Sequence, residues 1–125
     1  MLISVTDDVH GKNGIINVEV SEILFLEFDM VDRWVTVHTL EAKYYITGTL
    51  SYWADSLKGS GFEFEKADRN VVIHVPMIKR MDRVFAHAYF EYEINHKSKK
   101  VTLSQKHFKQ ILTKMRVANM GIVVV

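Results

Sequence analysis

The stretch Phe62-Glu63-Phe64-Glu65-Lys66-Ala67-Asp68-Arg69-Asn70-Val71-Val72-Ile73-His74-Val75 decides the class of fold. Two β-prone apolar runs flank a compact polar turn, and Pro76, which cannot donate to a ladder, ends the second run. Phe62–Lys66 and Val71–Val75 therefore read as strands. The same composition recurs outward in both directions. Upstream, Ile15–Val20, Ile23–Phe28, Arg33–Thr39 and Lys43–Thr47 are rich in β-branched and aromatic residues. Gly11-Lys12-Asn13-Gly14 supplies a hairpin turn before the first of them, because Gly and Asn tolerate positive φ. In Arg33–Thr39 strand alternation puts Trp34, Thr36 and His38 on one face and Arg33, Val35 and Val37 on the other. Downstream, Arg83–Tyr92 and Lys100–Leu103 read as strands joined through a turn at Asn95–Lys99. Two helices interrupt the pattern. Thr49 caps a short one in which Leu50, Trp53, Ala54 and Leu57 recur at helical spacing and which Gly59 stops. Ser104 caps a second, with Phe108, Ile111, Leu112 and Met115 on one face. The tail Gly121–Val125 is short and apolar, suited to a further strand or a contact surface. The expected fold is mostly β.

The chain of 125 residues fits one domain over 1–125, with no repeat, linker or internal boundary. Its 48% hydrophobic content and single proline are those of a folded protein. Absence of Cys excludes disulfides, thiol catalysis and Cys-ligated zinc. The segment Met1–Asp8 lacks the basic flank and apolar core of a signal peptide, and the apolar runs are too short to span a membrane. A cytoplasmic location is expected. The net charge of +1 hides an asymmetry. Residues 1–65 carry four basic and eleven acidic groups, a balance of −7, whereas residues 66–125 carry twelve basic and four acidic, a balance of +8. A basic face suits a polyanion partner, although halves of a sequence need not be halves of a molecule.

The second helix carries the sharpest chemical signal. Its first turns hold Gln105, Lys106, His107 and Lys109. Cations near a helix N-terminus lose ~0.3–1 kcal/mol each to the macrodipole, so stability alone favours Asp or Glu there. Lys106 and Lys109 lie opposite the apolar stripe, and with the free N–H groups of the helix start they can hold a phosphate. An ordinary solvated helix face competes with this reading. In the turn Lys66–Asn70, Arg69 is a fork-shaped donor suited to phosphate or to a guanine edge. Taken alone, that turn reads as a plain surface turn with a weak Asp68 ion pair.

Enzyme signatures are missing. No phosphate-cradling Gly loop is followed by Lys-Ser/Thr, and no His-Glu-x-x-His occurs. His87 and Glu91, four apart on a strand, are separated by roughly 13 Å, too far to share a metal. The six His are scattered, and Tyr44, Tyr45, Tyr89 and Tyr92 read as core and cross-strand packing. No catalysis, cofactor or metal is expected.

The order of these elements resembles a known family. An apolar strand ending in Glu (Ile23–Glu27) precedes an amphipathic helix opening on Thr49-Leu50. A Phe-x-x-x-(Lys/Arg)-x-(His/Asp)-Arg-(Ser/Asn) stretch follows, carried by Phe62, Phe64, Lys66, Asp68, Arg69 and Asn70 ahead of Val71-Val72-Ile73. Ile78 and the helix opening Val101-Thr102-Leu103-Ser104-Gln105-Lys106 complete the pattern. Over about residues 14–116 the chain is similar to a LytTR-type DNA-binding domain. The resemblance implies an elongated arrangement of about ten short strands with one or two short helices, which binds duplex DNA through loops inserted into successive major grooves. It implies a bacterial transcription regulator of a two-component system, an output domain of a response regulator that acts on direct repeats and can pair as a homodimer on DNA. A sensor or membrane-bound regulatory partner is left unidentified. No receiver domain fits before the first confident strand. Base contacts fall on Arg33, Arg69 and Lys106, and phosphate contacts on Lys66, Asn70, Ser104, Gln105 and Lys109.

This sequence departs from the family pattern in places. His74 stands where the family usually has Asn, Val75-Pro76-Met77 replaces a polar stretch, and Asp29-Met30-Val31-Asp32 is acidic for a segment near DNA. The rival reading is a β-rich protein-interaction module without DNA binding, supported by the Gly121–Val125 tail, the acidic first half and six Met.

Overall fold

Strands form where β-branched and aromatic residues alternate, and they assemble into two sheets, described for residues 1–118 and 121–125 in a computed structural model. The larger sheet contains β1 (Leu2–Thr6), β2 (Ile15–Glu19), β3 (Phe25–Phe28), β4 (Val35–His38), β5 (Lys43–Ile46), β6 (Phe64–Asp68) and β7 (Val71–His74). Its spatial order is β2-β1-β5-β4-β3-β7-β6. The smaller sheet contains β8 (Arg80–Asp82), β9 (His87–Tyr89), β10 (Lys100–Thr102) and β11 (Val123–Val124), in the order β10-β9-β8-β11. Helix α1 (Leu50–Gly59) links β5 to β6, and α2 (Gln105–Ala118) follows β10. The mostly β class and both helices match the expectation from sequence.

Alternation along the large sheet divides the interior. On β3, Leu26 faces a cluster formed with Val35, Val37, Val72 and Leu57 of α1, while Phe25 faces a second cluster. On β7, Val72 joins the first cluster and Ile73 the second. The second cluster takes in Met81 and Ala88 of the small sheet and Phe108, Ile111, Leu112 and Met115 of α2. Thus α1 covers one face of the large sheet, and α2 with the small sheet covers the other. The four apolar positions read at helical spacing in α2 are all buried, while Lys106 and Lys109 are exposed.

Several elements differ from the reading of the sequence. Leu2–Thr6, not anticipated as a strand, pairs with β2 along its whole length. The predicted strand Arg83–Tyr92 is broken by a turn at 83–86, so it is the second half of a β8–β9 hairpin. The Asp82 carboxylate accepts the N–H groups of Val84 and Phe85 at 2.8 and 3.2 Å, and Ala86 closes the turn at φ 54°. No Gly or Asn marks this turn, so apolar content alone misread it. As a result Glu91 lies outside any strand, and Tyr92 is exposed under Lys79 and not packed in the core. Arg33 likewise lies in a turn before β4 and not within a strand. Helix α1 runs through Gly59, and the left-handed glycine after it is Gly61. The tail resolves as a strand, β11, parallel to β8.

Candidate nucleic-acid interface

Four backbone hydrogen bonds gather the basic residues onto one rim. The first joins the β3–β4 turn to the β6–β7 turn, where Phe28 N–H donates to the Asn70 carbonyl at 2.9 Å. The second arises from a bulge. In the β6–β7 pair Lys66 faces Val72 and Asp68 faces Val71, so Ala67 is the extra residue. A bulged residue drops out of the ladder, and the Ala67 carbonyl accepts Ser104 N–H at 3.2 Å, seating the start of α2 against β6. The third, Leu103 N–H to the Ala86 carbonyl at 2.8 Å, joins the β8–β9 turn to the same helix start. The fourth closes the helix start itself, Phe108 N–H to the Ser104 carbonyl at 2.8 Å. Arg33, Arg69 and Lys106 therefore lie on neighbouring segments, and all three are exposed.

Each segment is built to hold its shape. Asp29 Oδ1 accepts from Val31 N–H and Asp32 N–H, both at 2.9 Å, and Arg33 N–H donates to the Asp29 carbonyl at 2.8 Å. The acidic character of this loop is thus partly architectural: the Asp29 carboxylate folds the turn. Arg33 follows at φ 63°, with its guanidinium 5.9 Å from the centre of the Phe28 ring. Asp68 Oδ1 accepts Arg69 N–H at 2.8 Å, which braces the next turn. At α2, Ser104 Oγ accepts His107 N–H at 3.3 Å and lies 2.6 Å from His107 Nδ1, so its hydroxyl is engaged within the helix start. The N–H groups of Gln105 and Lys106, in the first turn, have no intrahelical acceptor and point outward.

Charge compensation around the rim is selective. Glu65 pairs with Lys58 at 3.3 Å and with Lys114, which also reaches Glu63 at 3.6 Å. Partial burial would push the Glu65 carboxyl up, but the bonds from Lys114 and Lys58 hold it below its ordinary value. Among the described residues, no ion pair takes Arg33, Lys66, Arg69, Lys106 or Lys109. Lys66 lies between two grooves: it lines one against α1 together with Arg69, and one against α2 together with His107 and Gln110. Lys109 is exposed one turn further along α2, and Asn70 is half-buried with its carbonyl already engaged.

The family model of the LytTr DNA-binding domain matches residues 13–116. The chain belongs to the LytTr family. No curated protein matches it in sequence. Among solved structures, the LytTr DNA-binding domain of a Bacillus cereus protein described as a methyl-accepting/DNA response regulator superposes with a TM-score of 0.64. Identity is 18%, over 89% of this chain and 95% of that one, a likeness of fold. Sequence reading missed the turn at 82–86, which shares the rim. The signal lay in Asp82, an aspartate that ends a strand and is able to bond N–H groups two and three residues on. Among the described residues, no helix is long and apolar enough to cross a membrane, and no group of three His, Asp or Glu is placed to hold a metal.

Proposed function

We propose that this LytTr domain binds duplex DNA sequence-specifically and regulates bacterial transcription, without catalysing a reaction. Arg33, Arg69 and Lys106 enter the major groove from their loops and read bases. Arg33 and Arg69 can each donate a bidentate pair to guanine O6 and N7, worth ~1–3 kcal/mol of discrimination. Lys66, Asn70, Gln105 and Lys109 hold phosphates, which positions the domain without specifying sequence. Ser104 supports the phosphate contact by holding the helix start. The observation that carries this reading is that, among the described residues, five cations of the rim stand in no ion pair while neighbouring Lys58 and Lys114 are neutralised. Asp29 and Asp68 are occupied in bracing their own turns, which leaves those cations open to a polyanion. A cytoplasmic domain acting on direct repeats, as a pair of copies on DNA within a two-component system, is the setting that fits the family.

Arg69→Ala tests the reading. Binding to a cognate site, selected from a random duplex pool, should fall by about 5–150-fold, with a much smaller loss on random DNA. Lys109→Ala should weaken both alike and reduce the salt slope by about one unit. Equal losses for Arg69→Ala on both DNAs would remove Arg69 from base reading. Affinity that does not respond to salt would favour the protein-interaction module instead.

A further inference from the structure

Two turns on the rim share one construction. In Asp29-Met30-Val31-Asp32-Arg33 and Asp82-Arg83-Val84-Phe85-Ala86, the aspartate Oδ1 accepts the N–H groups two and three residues on. Each turn closes on a non-glycine residue at positive φ, Arg33 at 63° and Ala86 at 54°. Each also holds apolar side chains out in water: Val31 is 88% exposed, Val84 79% and Phe85 64%. Phe85 stacks one face on the His87 ring at 5.7 Å, whereas the turn positions of Val31 and Val84 are ones that β-branched residues do not favour.

We infer that the two turns are apolar readers of thymine methyl groups, Val31 beside the base read by Arg33, and Val84 with Phe85 beside the base read by Lys106. The inference rests on the DNA-binding reading above and deepens it. The thymine C5 methyl is the apolar feature that base edges present in the major groove, and contact with it distinguishes T from C. Placement supports the assignment. One turn bonds to Asn70 through Phe28, and the other bonds to the helix start through Leu103. Each apolar tip is therefore continuous with a cationic reader. Each tip is also one or two side chains wide and set among unpaired cations, far short of the roughly 800 Å² per partner that a stable protein contact buries. The aspartate bonds hold the turns in shape before binding, so little ordering entropy opposes contact.

Replacing individual thymines of the selected site by deoxyuridine removes the methyl and nothing else. Wild-type protein should lose about three- to five-fold in affinity at one or more thymines, the worth of one buried methyl. Val31→Ser should lose a similar factor on thymine DNA and become indifferent to uracil at its own position, and Val84→Ser combined with Phe85→Ser should do so at another. These side chains are exposed, so unchanged melting temperatures will show that the fold is intact. Insensitivity of the wild type to every thymine-to-uracil exchange, or an equal exchange penalty in wild type and variants, overturns the inference and leaves specific DNA binding standing. Failure of the wild type to bind any duplex removes both.

Discussion

Arg33 occupies a backbone region that costs an L-residue about 1–2 kcal/mol against glycine, and the turn it closes is one where glycine is the usual choice. Its N–H bond to the Asp29 carbonyl serves the turn whatever the side chain. The guanidinium is thus retained against a local conformational penalty, which points to a use outside the fold. Arg33→Gly separates the two roles. Thermal unfolding should show an unchanged or higher midpoint, while cognate DNA affinity falls by about 5–150-fold. Lower stability with intact binding would show that Arg33 serves the fold and not the interface.

At the scale of elements, the bulge at Ala67 and the cap at Ser104 act together. The bulge frees a carbonyl for Ser104 N–H, and Ser104 Oγ then closes the first turn of α2 on His107 N–H. Arg69 and Lys106 keep their spacing because one hydrogen bond links the strand that leads to the first with the residue that caps the helix of the second. Ser104→Ala should destabilise the domain by about 1 kcal/mol, lowering the melting midpoint by several degrees. It should also weaken DNA binding even though the basic side chains are all present. Unchanged melting would mean that the cap contributes nothing to holding the helix start.

For the molecule as a whole, His74 couples stability to pH. It is 4% exposed, stacked on Phe64 at 4.3 Å, with Nδ1 2.7 Å from the Ile23 carbonyl. Burial pushes the imidazole below its ordinary value, against the opposing effects of that carbonyl and of Glu63. The unfolded chain therefore takes up a proton that the folded one resists. Stability is fully present above about pH 6.5 and falls as the pH drops toward the folded value. Glu65, held low by its lysines, adds a loss only below about pH 4.5, where the unfolded carboxyl protonates first. Replacing His74 by Asn should lower stability at about pH 8 by removing the ring stacking, and should flatten the decline between about pH 7.5 and 5. An unaltered decline would assign it to other groups.

Much of this was open to a reader of the sequence, because the deciding features are local. Two apolar runs around Lys66–Asn70, the Thr49 and Ser104 caps and the stripe from Phe108 to Met115 each act within a few residues, and periodicity or capping chemistry reports them directly. Basic residues in the first turns of α2 stood out for the same reason: they run against the macrodipole of their own helix. Tertiary structure alone decided what joins what. Leu2–Thr6 became a strand because β2 was there to pair with it, whereas the turn at Asp82 is local and went unread because no Gly or Asn marks it. The meeting of Arg33, Arg69 and Lys106 depends on bonds such as Phe28 to Asn70 and Ala67 to Ser104, between residues more than thirty positions apart. Pairings at that distance leave no local periodicity, since they form only when the sheets have packed.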